Sequence, residues 1–117
     1  MVKHIILWQL KDGLSDEEKV NAKNEIKKGL EALKGVVPGL KEIKNGLENL
    51  LGKVPGLKEI KVNINPLNTS NADIMLDSLM ESFDALKGYA VHPEHVAVAD
   101  GKVKPNVKLR VCMDYEI

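Results

Sequence analysis

Aromatic side chains are scarce in this 117-residue chain, which holds one tryptophan, one phenylalanine and two tyrosines: Trp8, Phe83, Tyr89 and Tyr115. Single-stranded nucleic acids are gripped by stacking bases on several aromatic rings, so a binder of that kind is not expected. Net charge is missing as well, because seventeen Lys and Arg balance seventeen Asp and Glu. Duplex binding draws on a cationic excess that releases counterions. Neither half supplies a charged tail: residues 1–61 carry twelve basic and nine acidic side chains, and residues 62–117 carry five and eight. No apolar run approaches the roughly 18 residues of a membrane span. The opening stretch MVKHIILWQLKDG has too short an apolar core for a secretion signal and reads as a strand. A single cysteine, Cys112, leaves no internal disulfide and fits a reducing cytoplasm. Phosphate-cradling glycine loops and a Ser/His/Asp set are also absent. No nucleic-acid or membrane partner and no cofactor are therefore expected.

With 44% hydrophobic residues the chain can fill one core, and its length suits one domain spanning residues 1–117. Within that domain lies a repeat. Residues 27–43, KKGLEALKGVVPGLKEI, recur as residues 44–60, KNGLENLLGKVPGLKEI, with thirteen of seventeen positions identical. A solenoid needs three or more units, so this is a local tandem duplication. Seventeen residues leave a helix about 100° short of five turns, and Pro38-Gly39 interrupts the run, so the two copies do not form one continuous amphipathic helix.

Ser15 reads as the N-cap of a first helix, with Glu18 completing a capping box, Val20, Ile26, Leu30 and Leu33 as its buried stripe, and Gly35 as its end. Leu40, Ile43, Leu47, Leu50 and Leu51 predict a second, short helix ending near Gly52. The LKEIK string then returns as Leu57–Lys61, where Ile60, Val62 and Ile64 alternate with polar residues and predict a strand. One pentapeptide is thus expected helical in its first copy and extended in its second. Val2–Leu10 reads as the first strand, with His4, Ile6, Trp8 and Leu10 on one face. Asp73–Leu79 reads as the third, with Ile74 and Leu76 on one face. Ser82 caps a helix carrying Phe83, Leu86 and Tyr89, and HPEHV adds a helical turn with Pro93 near its start. Lys108–Ile117 alternates, placing Leu109, Val111, Met113, Tyr115 and Ile117 opposite Lys108, Arg110, Cys112, Asp114 and Glu116. The order predicts an α+β domain: a four-stranded, mainly antiparallel sheet with helices on one side. The first strand is apolar on both faces, since Ile5 and Leu7 point opposite to Ile6 and Trp8. A homodimer packing open sheet face against open sheet face satisfies that pattern.

Four strings carry a family resemblance: VKHIILWQLKDGLSDEEK, GLKEIKVNIN, ALKGYAVHPEHVAVAD and the closing DYEI. Together they span nearly the whole chain apart from the seventeen-residue insertion, and the YxxHPxHV core is the most specific of them. The chain resembles the stress-responsive dimeric α/β-barrel (Dabb) family. The resemblance implies a ferredoxin-like fold whose two copies pack their sheets into a barrel. Most members have no known activity, and one branch, similar to olivetolic acid cyclase, closes linear polyketides by aldol chemistry. Family members usually pass once through a VPGLKEIKV-like joint, whereas here it appears twice. Either natural drift or design accounts for the four differences between copies. Two readings of the insertion stay open: an extra helix tolerated on the surface, or two near-identical segments competing for one structural slot.

In the cyclase branch the residues matching Tyr89 and His95 act on the substrate, and the match to His4 lines the same cavity. The resemblance thus implies His95 as general base, Tyr89 as hydrogen-bond donor to a carbonyl and His4 beside them, with Trp8, His92 and Ile74 lining the substrate site. Ile74 stands where that branch has another histidine. The chemistry is coherent: an imidazole can take a proton alpha to a carbonyl while a phenol stabilises the oxygen as it gains charge. Each residue also has a structural role open to it: Tyr89 as a ring packed on the sheet, His92 as a turn cap, His4 as a hydrogen-bonded core residue. His92 and His95, three apart, could meet a metal with His4 or Glu94, but lack a fixed carboxylate or cysteine partner, so no metal is expected. Cys112 sits on a polar strand face with no base or helix N-terminus nearby, and a reactive thiol is not expected. The preferred function is an uncharacterised dimeric domain; the alternative is a cofactor-independent lyase or cyclase acting on a polyketide-like carbonyl compound.

Overall fold

Strand β1, Val2–Leu10, runs through the middle of the molecule, flanked by β3, Ile74–Met80, and β4, Val107–Glu116, in the sheet order β2-β3-β1-β4. Strand β2, Leu57–Asn63, forms the far edge, and every neighbouring pair is antiparallel. The computed structural model of the chain describes residues 1–34 and 56–117. The expected helix over Leu40–Leu51 and the expected end of the first helix at Gly35 lie outside the described residues. Three helices of the described part cover one side of the sheet: α1, Asp16–Glu31, α2, Phe83–Val91, and α3, Pro93–Val98. A single π-type turn, Ala99–Val103, and a 3₁₀ turn, Lys104–Asn106, lead into β4. This is the α+β architecture that the element order predicts and the ferredoxin-like fold that the resemblance implies.

Alternation decides which face of each strand is covered. In β1 the side chains of Val2, His4, Ile6, Trp8 and Leu10 are buried, and β3 contributes Ile74, Leu76, Ser78 and Met80 to the same layer. Helix α1 seals them with Ala22, Ile26 and Leu30, continued by Leu33. Ser15 starts α1 with a complete capping box: its hydroxyl accepts from the Glu18 N–H at 3.1 Å, and Glu18 Oε1 accepts from the Ser15 N–H at 2.8 Å. Val20, expected in the buried stripe, is 58% exposed. It lies six residues before Ile26, about 120° around the helix, whereas Ala22 falls one turn before Ile26 and takes the place instead. In the helix that Ser82 caps, steps of three residues drift about 60° each, so Phe83 lies about 120° from Tyr89 and is 59% exposed, with Lys87 Nζ over its ring.

The LKEIK string is extended in its second copy, as expected. Leu57 pairs with Met80 and Glu59 with Leu79, leaving Lys58 as an extra residue. That bulge rephases the strand, so Leu57 and Val62, five apart, are both buried. Gly56 precedes it at φ 81°, and a Cβ there would stand 2.5 Å from the Ala85 Cβ of α2, so glycine alone fits this joint.

Helix α1 also finishes the free edge of β2. Lys27 Nζ donates to the Val62 carbonyl at 2.6 Å, and Glu31 Oε2 accepts from the Val62 N–H at 2.8 Å. Edge strands expose such backbone groups, and here two helix side chains satisfy them. Lys27 and Glu31, which make these contacts, and the core residues Ile26, Leu30 and Leu33 recur unchanged seventeen positions later as Lys44, Glu48, Ile43, Leu47 and Leu50. Two of the positions that differ, Lys28 and Ala32, are exposed. The contacts of the first copy thus use none of the differences between the copies at these two positions.

Leu30→Ala is expected to cost the full 2–5 kcal/mol or so of a buried leucine in urea denaturation, with Val20→Ala within about 0.5 kcal/mol of wild type. A much smaller loss at Leu30, together with two amide-exchange populations across residues 26–61, would instead show the second copy taking the first copy's place.

Candidate functional site

Three of the singled-out side chains come together on the covered side of the sheet. His4 points from β1 into the core at 6% exposure, and Tyr89 of α2 packs above it with its ring edge-on, centroids 5.9 Å apart. The His95 ring of α3 also lies against the tyrosine ring, tilted, with centroids 4.4 Å apart. The kink between α2 and α3 makes this possible. His92 ends α2 in an extended conformation, Pro93 opens α3, and His92 Nδ1 accepts from the Glu94 N–H at 3.1 Å. The chain thereby turns sharply enough for residues six apart to stack. His92 itself acts as the turn cap and has its Nδ1 committed there. Trp8 and Ile74 face one another across β1 and β3 as buried core residues.

His95 Nδ1–H donates to the Ala90 carbonyl at 3.1 Å, which leaves Nε2 with the lone pair. Burial holds its pKa below the ordinary 6.5, and the neighbouring His4, Arg110 and His92 act in the same direction against the Ala90 bond. The ring is therefore neutral at pH 7 and suited to accept a proton. Tyr89 is 1% exposed, and its hydroxyl is the one buried side-chain polar atom without a hydrogen-bond partner among the described residues. Burial pushes the phenol well above its ordinary value, so it is a donor and not a base.

Two further residues join the group, and the sequence reading did not single them out as functional. Asp114 of β4 stands opposite His4 in the sheet register, and its Oδ1 accepts from the His4 Nδ1–H. Cys112, one pleat away on the same face, has its Sγ 3.9 Å from His4 Nδ1 and 3.6 Å from Asp114 Oδ1. The expectation that Cys112 has no base nearby is thus corrected. Burial and the Asp114 carboxylate raise the thiol's pKa, which keeps it protonated. The alternation of Lys108–Ile117 already placed Cys112 and Asp114 on one face. What was missing was the β1–β4 register that aims this face at His4.

Hollows of about 350 Å³ (Leu7 and residues 63–75), 310 Å³ (α1 and residues 101–106) and 370 Å³ (Lys3, Glu59–Lys61, Asp77) lie elsewhere. Trp8 and Arg110 border a shallower one of about 210 Å³. None of these four borders His4, Tyr89 or His95. On the opposite, uncovered side of the sheet Ile5, Leu7, Leu109, Val111 and Met113 adjoin one another across β1 and β4, the last four between 37% and 66% exposed.

A family model described as the stress-responsive A/B barrel domain (Dabb) matches residues 2–46 and 41–117, two stretches that overlap inside the repeat. Among solved structures, a dimeric protein of unknown function with a ferredoxin-like fold from Bacteroides fragilis is 32% identical. Its TM-score is 0.79, covering 99% of this chain and 95% of its own. A Dabb family protein with a ferredoxin-like fold from Mesorhizobium loti shares the fold at 16% identity and TM-score 0.66, covering 99% and 95%. So does a hydroxynitrile lyase from Passiflora edulis, at 17% identity and TM-score 0.61, covering 99% and 92%. No curated protein matches the sequence.

Because His95 prefers to be uncharged when folded, its contribution is full above its unfolded pKa and is lost as pH falls below about 6.5. His95→Gln should therefore flatten the loss of stability between about pH 7 and 5, and an NMR titration should place the His95 midpoint below 6.5. Tyr89→Phe removes an unpaired buried hydroxyl and is expected to stabilise the fold, by about 1 kcal/mol in urea denaturation, where a structural hydroxyl would cost that much.

Proposed function

The chain belongs to the stress-responsive A/B barrel domain family, and from that premise we propose that it works as a homodimer joined through the open face of its sheet. The observation that carries this reading is the contiguous apolar patch formed by Ile5, Leu7, Leu109, Val111 and Met113 on the side away from the helices. A patch of that kind on an uncovered sheet is characteristic of an interaction surface. Solved relatives described as dimeric ferredoxin-like proteins, including the Bacteroides fragilis one, support a second copy as the partner. Among the described residues no helix is long and apolar enough to cross a membrane. A cytoplasmic home fits the free Cys112.

A second reading is favoured by the unpaired Tyr89 hydroxyl beside His95. Buried hydroxyls are nearly always hydrogen-bonded, and exceptions often mark a catalytic role. We propose a cofactor-independent lyase or cyclase site for a small carbonyl compound. His95 Nε2 takes the proton alpha to the carbonyl, the electron pair moves onto the carbonyl oxygen, and Tyr89 O–H donates to that oxygen as it gains charge. Asp114 holds the His4 ring in place beneath the tyrosine. Since the Tyr89 hydroxyl is covered, substrate entry has to part the residues above it.

Sedimentation at about micromolar concentration is expected to show a dimer, and Val111→Glu a folded monomer with unchanged circular dichroism; a monomeric wild type overturns the first reading. For the second, the protein should catalyse deuterium uptake alpha to the carbonyl in a panel of small ketones and β-keto esters. His95→Gln should slow that exchange by about 10²–10⁴-fold. Equal exchange by wild type and His95→Gln removes the enzymatic reading and leaves the dimer untouched.

A further inference from the structure

We propose that His4 Nδ1, Cys112 Sγ and Asp114 Oδ1 form a binding site for a thiophilic divalent cation, with Zn²⁺ the best match to the donor set. The site does not depend on either functional reading above. One imidazole nitrogen, one thiol sulfur and one carboxylate oxygen lie within 4.8 Å of one another. Imidazole, thiolate and carboxylate together select zinc over the hard cations, which prefer oxygen alone.

The spacing fits. Ordinary Zn–S and Zn–N or Zn–O bond lengths arranged tetrahedrally put a sulfur about 3.5 Å from the other donors. Cys112 Sγ stands 3.9 Å from His4 Nδ1 and 3.6 Å from Asp114 Oδ1, within a few tenths of that value. His4 Nδ1 and Asp114 Oδ1 are hydrogen-bonded to each other and have to part for a cation to bind between them. Binding sends the thiol proton to solvent and moves the imidazole N–H from Nδ1 to Nε2, so all three side chains present lone pairs to the cation.

The strands hold the donors rigidly. Asp114 is the direct cross-strand partner of His4, and Cys112 follows at the next position on the same face of β4. Behind the imidazole, the fully buried Ser78 hydroxyl donates to the His4 carbonyl at 2.9 Å, fixing the backbone of the ligand. The His4 side chain is 8% exposed and the Asp114 side chain 36%, and Cys112 is exposed, so a cation reaches the group from solvent while its anchor is in the core. Three protein ligands leave a coordination position for water or a small anion, the pattern of reactive zinc centres more than of closed structural ones. Arg110, which faces the same thiol, opposes a dication and sets the affinity below that of a four-ligand structural site.

The test uses the full-length, chelator-stripped and thiol-reduced protein, titrated with Co²⁺ as the spectroscopic probe and with Zn²⁺ against a chromophoric chelator. One equivalent of metal per chain is expected, with a thiolate-to-cobalt charge-transfer band. Loss of even an outer-shell partner weakens metal binding by about 10- to 100-fold. Cys112→Ser and Asp114→Asn, both at exposed strand positions, should therefore weaken Zn²⁺ by at least about tenfold, and Cys112→Ser should abolish the band. His92→Asn should change neither. Binding without a thiolate band, or affinity lost in His92→Asn and kept in Cys112→Ser, places the metal elsewhere and overturns the proposal, as does the absence of stoichiometric binding.

Discussion

The covered face of strand β1 is the constraint on which the molecule depends. Ile6, Trp8 and Leu10 are each under 5% exposed and meet β3 on one side, β4 on the other and α1 above. Fully burying side chains of this size contributes about 1.5–3 kcal/mol each, and those contributions orient the sheet before any polar contact is considered. Every named functional group is then positioned relative to that face. His4 shares it, Asp114 and Cys112 reach it because β4 pairs with β1 in one register, and Tyr89 lies above it because Leu86 and Tyr89 are the apolar side of α2.

Placing a histidine in that layer has consequences for its neighbours. A buried imidazole needs a partner, and β4 provides one in Asp114. Tyr89, edge-on to the same ring, has none for its hydroxyl. The fold thus satisfies the polar group that its sheet can reach and leaves unsatisfied the one held by a helix. A strand neighbour presents a side chain at fixed cross-strand distance, whereas the groups around a helix tip depend on a second helix, α3, whose histidine ring lies tilted against the tyrosine without hydrogen-bonding its hydroxyl.

Much of this was legible in the residues. The alternation in Val2–Leu10, the capping box at Ser15 and Glu18, the cap at Ser82 and the role of His92 before Pro93 are local devices, and each acts in the fold as its spacing predicts. Val20 was misplaced because hydrophobicity alone does not say which of two faces about 120° apart meets the sheet. The convergence of His4, Tyr89 and His95 was legible through family resemblance. Asp114 was not, since its partner lies 110 residues away and the pairing depends on a register that no local pattern encodes.

By itself, the sequence determined the class of the fold, the turn chemistry and the presence of a repeated string, because periodicity, caps and repeats are short-range properties of the chain. Tertiary structure decided how the second copy of LKEIK sits against β3, with the bulge at Lys58 bringing Leu57 inward. It also decided that the exposed, polar side of β4 meets a buried histidine. The physical reason is the same in both cases. An antiparallel sheet fixes side chains at distances set by strand pairing, and a shift of one residue moves each of them to the opposite face.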